Sequence, residues 1–243
     1  MAERSLPGYW FVSFFICCST FFCGAFAVFC SLFSRSGRVA HRFARFWAKS
    51  LIFIAGIRVF VKGKENLPRE GACIFIANHQ SLMDIPAFFS TIPLEFRVLA
   101  KGMLFSIPFM GWTMGRAGYI PIYKDDPKKS LSTIKKAMAV LSSGVSLLIF
   151  PEGGRSVDGR IRRFKSGAFY LAIKAQAPIV PVAICGSRKI LPKGSLKINR
   201  GTITLYVEKP IATAHRRSRE RAELMEEVEG IVKDIFYRES GIR

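Results

Sequence analysis

Between residues 5 and 34 the chain carries no charged side chain, and residues 9–33 are almost continuously apolar and rich in Phe. About 20 apolar residues suffice to cross the hydrocarbon core of a bilayer as a helix. A run of this length and uniformity therefore sets the first constraint: whatever follows is expected to fold beside a membrane. A cleaved signal peptide is the rival reading, and the small residues Ala25 and Ala27 fit one. The apolar run continues past them, however, and the segment is expected to stay with the chain.

The basic residues Arg35, Arg38, Arg42, Arg45, Lys49, Arg58, Lys62 and Lys64 follow, and no acid occurs from residue 4 to residue 64. Cations massed on this flank predict that it stays on the cytoplasmic side. Val39, Phe43, Phe46, Trp47, Leu51 and Ile54 recur at helical spacing, with basic residues largely between them. That pattern fits a helix lying in the interface, aromatic side toward lipid and cations toward phosphates. It equally fits a helix packed on a soluble domain with a solvated basic face. Residues 1–57 are thus expected to form a two-helix membrane-associating element, spanning or dipping into one leaflet, and residues 58–243 a single further domain.

With 37 Lys and Arg against 17 Asp and Glu, the formal net charge is +20. Such a surplus calls for an acidic counterpart: nucleic acid, an anionic bilayer, or anionic substrates and carriers. Nucleic acid is disfavoured, because the sequence holds no zinc-ligand spacing, basic-region heptads or aromatic RNA-binding motif. The six cysteines, Cys17, Cys18, Cys23, Cys30, Cys73 and Cys185, form no CxxC pair. They read as small buried hydrophobes in a reducing compartment.

Beyond residue 64 short apolar runs alternate with helical periodicity, the pattern of an α/β domain: a mixed sheet flanked by helices. Strands are expected at 58–62, 73–77, 97–99, 146–150, 179–184, 197–198 and 202–207, with a short one between Gly118 and Lys124. Helices are expected at 128–141, 167–175 and 219–236, each with an apolar stripe.

Two strand ends carry chemistry. The first reads FIANHQSLMDIP, residues 75–86. Catalysts in α/β sheets gather where strands end, and His79 emerges there with Asp84 five residues on. Asp84 has two readings. Ser81 and Asp84 match a capping box, but Pro86 would then fall past the first helical turn. A helix beginning near Asp84 accommodates Pro86 better and leaves the carboxylate free to face His79. On one continuous helix the two would point roughly 140° apart, so contact requires a turn at 79–83. In contact, the carboxylate orients the imidazole and leaves a general base near neutral pH. Apart from contact, His79 is an ordinary satisfied histidine. His41 and His215, both in basic surroundings, are expected to be solvated or interfacial.

The second strand end reads LIFPEGGRS, residues 148–156. Pro151 stops the strand and Gly153-Gly154 permits a tight turn. Glu152 and Arg155 sit at the opening, either to bind an anion through the Arg fork or as a surface ion pair. Lys101 follows a short strand and is either a phosphate contact or simply exposed. RIRRFKSG, residues 160–167, adds a basic cluster before a helix N-terminus, where anions are also welcome. No nucleophile elbow, phosphate-binding loop or dinucleotide fingerprint occurs, and three scattered histidines make no metal site. A base without a protein nucleophile points to direct attack by a substrate hydroxyl.

Taken in order, these segments resemble the 1-acyl-sn-glycerol-3-phosphate (lysophosphatidate) acyltransferases over roughly residues 58–210. NHQSLMD matches that family's Asn-His-x4-Asp motif, FPEGGRS its Phe-Pro-Glu-Gly-Thr-Arg-Ser motif, and IVPVAI at 179–184 its apolar stretch around a Pro. The resemblance implies His79 as general base and Asp84 as its orienter. It implies Glu152 and Gly153 at the acceptor's glycerol part and turn, and Lys101, Lys124 and Arg155 on its phosphate. It implies an acyl carrier protein or coenzyme A thioester as donor, lysophosphatidic acid as acceptor, anionic membrane lipid as surroundings, and no cofactor. Two positions depart from the pattern. Gly154 replaces the usual Thr, for which a loosened turn is expected, and Lys124 replaces the usual Arg, keeping the charge but losing the fork. Other acceptors (glycerol 3-phosphate, a lyso-ornithine lipid, another lysophospholipid) are the main alternative, and a non-enzymatic basic membrane protein the more distant one.

Overall fold

The computed structural model describes Cys18, Thr20, Phe22, Gly24, Ala25 and residues 37–123, 126–195 and 197–241. The expected membrane run at 9–33 thus lies outside the described residues except at five positions, whose backbone is helical. No described helix is long and apolar enough to cross a membrane.

Helix α1 (Arg38–Ile54) leads into β1 (Ile57–Lys62). There follow β2 (Ile74–Ala77), α2 (Asp84–Thr91), β3 (Phe96–Lys101), α3 (Met110–Arg116), β4 (Ile120–Ile122) and α4 (Pro127–Ser142). The chain continues with β5 (Ser146–Ile149), α5 (Gly167–Ala175), β6 (Ile179–Cys185), α6 (Ser187–Ile190), β7 (Gly201–Val207) and α7 (Arg221–Ser240). The strands form one sheet in the order β1-β7-β6-β2-β5-β3-β4. Only β6 and β7 pair antiparallel; every other neighbouring pair is parallel, so the sheet is mixed.

The central strands β2, β5 and β6 are buried along their whole length, as continuous apolar runs require when helices cover both faces. Alternation decides which side chain goes where. Phe75, Ala77, Leu148, Val180, Val182 and Ile184 face α1 and α2, packing on Ala48, Leu51, Ala87, Phe88 and Phe89. Ile74, Ile76, Leu147, Ile149, Ile179 and Ala183 face α4, α5 and α7. Each large side chain buried this way contributes about 1.5–3 kcal/mol. This three-layer packing holds the strand ends in fixed relation, and those ends build the site.

Three expectations are corrected. Residues 197–198 are not a strand: they take no part in the sheet, and Lys197 N donates to Ser195 Oγ. β3 extends beyond 97–99 and makes Lys101 its last residue. His41 is not solvated: it is 4% exposed, set against the rings of Phe89 and Phe96. The cause lies in α1. Its inward stripe is Ala40, His41, Ala48 and Leu51, in which the two alanines let it approach α2 closely, while Phe46 and Phe53 point outward at 62% and 85% exposure. The helix packs on the domain through this face and presents aromatic rings away from it.

Candidate active site

β2 ends at Ala77, opposite Val182 of β6. Asn78 then extends the pairing with its side chain: Oδ1 accepts from Ile184 N at 2.7 Å and Nδ2 donates to Ile184 O at 2.9 Å. This amide stops the strand and satisfies a buried pair of backbone groups that would otherwise lack partners. His79 is held at both backbone atoms by the loop after β5. Its N–H donates to Glu152 Oε1 at 2.7 Å, and its carbonyl accepts from Ser156 N at 3.2 Å. The imidazole stacks on Phe150, with ring centroids 4.3 Å apart.

Residues 79–83 form a turn, and α2 begins at Asp84. Pro86 therefore falls within the first helical turn, where its missing N–H costs nothing. Asp84 Oδ2 lies 2.8 Å from His79 Nδ1 and accepts from Gln80 N at 2.8 Å and Ser81 N at 2.9 Å. Of the two sequence readings the later helix start holds: Met83, not Ser81, is the N-cap residue, and the Asp84 carboxylate faces His79. Asp84 is fully buried at a helix N-terminus, where the dipole favours negative charge. A carboxylate accepts, so the neutral imidazole that fits this contact is the tautomer with its proton on Nδ1 and its lone pair on Nε2. The His79 side chain is 16% exposed.

Glu152 turns inward. It is 2% exposed, and its oxygens accept from two backbone N–H groups, Oε1 from His79 and Oε2 from Arg162 at 2.9 Å. Burial pushes its pKa up to about 7, against the opposing pull of those two N–H groups. The carboxylate thereby joins the two motif loops. Gly153 takes a positive φ of 71°, which the turn requires. At Gly154, Arg162 Nη2 donates to both Glu152 O and Gly154 O at 3.0 Å and bridges the turn.

An open cavity of about 540 Å³ adjoins these loops, lined by Lys101, Glu152, Gly153, Gly154, Arg155, Arg162, Arg163, Lys165 and Lys193. Its one carboxylate is occupied by backbone N–H groups, so the cavity is strongly positive. His79 does not line it; the imidazole stands beside it, joined through Glu152 and Phe150. Lys101 and Arg155 reach it as the sequence reading expects, and Lys193 supports Arg155 by donating to its carbonyl at 3.2 Å. Lys124 lies outside the described residues. Sequence reasoning missed the particular roles of Arg162 and Lys193. The basic run at 160–167 was visible, but nothing in it distinguishes Arg162 from its neighbours. Among the described residues no trio of His, Cys, Asp or Glu side chains could hold a metal.

A family model described as Acyltransferase matches residues 58–185. A chloroplastic 1-acyl-sn-glycerol-3-phosphate acyltransferase of Brassica napus is 38% identical over 186 residues, 75% of this chain and 54% of that protein. A 1-acyl-sn-glycerol-3-phosphate acyltransferase of Saccharomyces cerevisiae is 31% identical over 205 residues, 83% of this chain and 67% of that one. The chain spans about half the length of the first of these curated relatives. Among solved structures, the crystal structure of the 1-acyl-sn-glycerophosphate (LPA) acyltransferase PlsC from Thermotoga maritima superposes with a TM-score of 0.77 at 29% identity, covering 92% of this chain and 91% of that one.

Proposed function

The chain belongs to the acyltransferase family, and on that premise we propose that it moves an acyl group from a thioester to the free hydroxyl of 1-acylglycerol 3-phosphate, forming phosphatidic acid. The observation that carries this reading is the 2.8 Å contact between His79 and Asp84 beside a cavity without a free carboxylate.

The acceptor's phosphate sits among Lys101 and Arg155, with Lys124 as a further cation, and this fixes the glycerol hydroxyl near His79 Nε2. Nε2 takes the hydroxyl proton as the oxygen attacks the thioester carbonyl. The Asp84 carboxylate stabilises the imidazolium that forms. The tetrahedral intermediate collapses, the C–S bond breaks, and the proton passes from the imidazolium to the leaving thiolate. No covalent acyl-enzyme and no cofactor enters this scheme. Glu152 and Gly153 act from below by holding the loops in register. The donor is an acyl carrier protein or coenzyme A thioester; both are anionic and suit the net charge of +20. Residues 1–57 hold the chain on the cell membrane with the site on the cytoplasmic side, a reading that the exposed Phe46 and Phe53 of α1 support.

The test is product analysis with the full chain in anionic lipid vesicles. The acceptors are 1-acylglycerol 3-phosphate, glycerol 3-phosphate and monoacylglycerol, each with both donors. Phosphatidic acid from the first acceptor should dominate. Faster acylation of monoacylglycerol would refute the phosphate-directed reading, and no acylated lipid with any pair would refute the enzymatic one.

A further inference from the structure

Large apolar side chains stand in the open at a second place besides α1. The 3-10 turn Gly102–Ser106 and helix α3 follow β3, and there Met103 is 71% and Trp112 65% exposed, together with the exposed Ile107 and Met110. None of the four belongs to either apolar core cluster. Residues 96–124 hold no acid, and their only charges are Arg97, Lys101, Arg116 and Lys124. A contiguous stretch of exposed apolar residues marks an interaction surface, and cations without acids around it suit an anionic one. The same segment meets the apolar N-terminal run. Gly24 faces it closely: a Cβ there would lie 2.8 Å from Phe109 Cε1 and 3.5 Å from Thr113 Oγ1. Four residues earlier, Thr20 Oγ1 accepts from Trp47 Nε1 of α1 at 3.0 Å. The run thus touches α1 at one described position and α3 at another, and Phe22 between them is itself exposed.

We propose that residues 102–116 are a second membrane-seated element, with Met103, Ile107, Met110 and Trp112 placed at the headgroup boundary of the anionic leaflet that holds the N-terminal run. The assignment rests on the membrane reading of residues 1–57 and is independent of the acyl-transfer chemistry. Lipid is the occupant because the patch adjoins the run itself, carries no acid, and presents an indole, the side chain suited to the boundary between headgroups and acyl chains. Helices α1 and α3 then grip the bilayer at two points and fix the tilt of the domain on it. Lys101, the residue before the segment, is thereby held with its cavity at headgroup depth.

The experiment places the full chain in vesicles of phosphatidylglycerol and phosphatidylcholine and reads Trp112 by itself. The chain has 3 Trp, so the Trp10→Phe/Trp47→Phe variant leaves Trp112 as the reporter. Lipid brominated near the headgroup should quench its emission, and aqueous acrylamide should quench it several-fold less than it quenches free tryptophan. Quenching by acrylamide without quenching by brominated lipid would overturn the proposal. So would shielding from both, which would mean that a second copy or another protein covers the patch. A chain that does not float with the vesicles would remove the membrane reading and this seat together; a chain that floats with Trp112 open to acrylamide would remove the seat alone. Should the double variant fail to fold, the difference in quenching between wild type and Trp112→Phe gives the same reading. Trp112→Glu should lower turnover on vesicle-borne 1-acylglycerol 3-phosphate, relative to turnover on a short-chain acceptor in solution, by about tenfold, the scale of one large side chain withdrawn from lipid. Trp112→Phe should lower that ratio far less, and an unchanged ratio in Trp112→Glu would overturn the seat. Quenching needs no turnover, so a Trp112 quenched by lipid in a chain that makes no phosphatidic acid would keep the seat and remove the acyl-transfer reading.

Discussion

His79 and His41 sit in one domain, one at the exit of β2 and the other on the inner stripe of α1, and their surroundings are built on opposite principles. At His79 the carboxylate is buried and the imidazole is partly open: Asp84 is fully enclosed and takes three N–H donors on Oδ2, while the ring keeps 16% of its surface. At His41 the ring itself is enclosed, between Phe89 and Phe96, and the charges around it are mostly cationic. Burial and then Arg97, with Arg45 adding less, lower its pKa to about 4, against the opposing pull of Glu95 and the Leu94 carbonyl. Burial of an imidazole makes it inert; burial of its partner makes it usable. Rarity of histidine in the sequence therefore marks neither site as functional, and the placement of the carboxylate does.

The largest expected difference is in turnover. His79→Ala should lower phosphatidic acid formation by about 10²–10⁴-fold, the usual worth of a positioned general base. His41→Phe, filling an apolar site, should leave turnover within about threefold. Comparable losses in the two variants would erase the contrast.

The second difference is in stability against pH. Folded His41 stays neutral where the unfolded chain takes up a proton, so its contribution is fully present above about pH 6.5 and is lost as pH falls toward about 4. The shift corresponds to about 3 kcal/mol, read as the difference between His41→Phe and wild type in how stability changes from pH 4 to pH 7. His41→Phe should lose the rise with pH that His41 contributes; a profile identical to wild type would mean that the ring is protonated in the fold.

Glu152 sharpens the comparison by acting in the other direction. Its folded pKa of about 7 lies above the ordinary 4.5, so the fold retains a proton that the unfolded chain releases. Stability is fully present below about pH 4.5 and declines as pH rises to about 7. The two groups oppose each other across that window, and the wild type should be flatter than either variant. Glu152→Gln should therefore steepen the rise in stability with pH that His41 produces; a flatter profile would contradict the inward, desolvated carboxyl. The smallest effect expected is that of Asn78→Ala. It strands the N–H and C=O of Ile184 and should cost about 1–3 kcal/mol by denaturation, with a modest loss of turnover as His79 loosens.

Much of this arrangement was legible in the sequence, because buried strands read as apolar runs and Pro86 fixes where α2 can begin. The turn that brings His79 to Asp84 followed from that one proline. What escaped depends on distant contacts. The inward stripe of α1 places two alanines and His41 beside Leu51, so hydrophobic spacing, which weighed the aromatic rings most, misplaced His41. The inward turn of Glu152 depends on N–H groups at positions 79 and 162, which sequence spacing does not bring together. Arg162 stands in a run of basic residues and gains its role only from the carbonyls of Glu152 and Gly154 across the turn.

The most direct test of the central claim removes the carboxylate's charge and keeps its shape. Turnover of 1-acylglycerol 3-phosphate by Asp84→Asn, measured beside wild type with the denaturation midpoint as a check on folding, should fall by about 100-fold or more, with little change in acceptor KM. A folded Asp84→Asn variant retaining a third or more of wild-type turnover would contradict the account, because the imidazole would then need no partner to act.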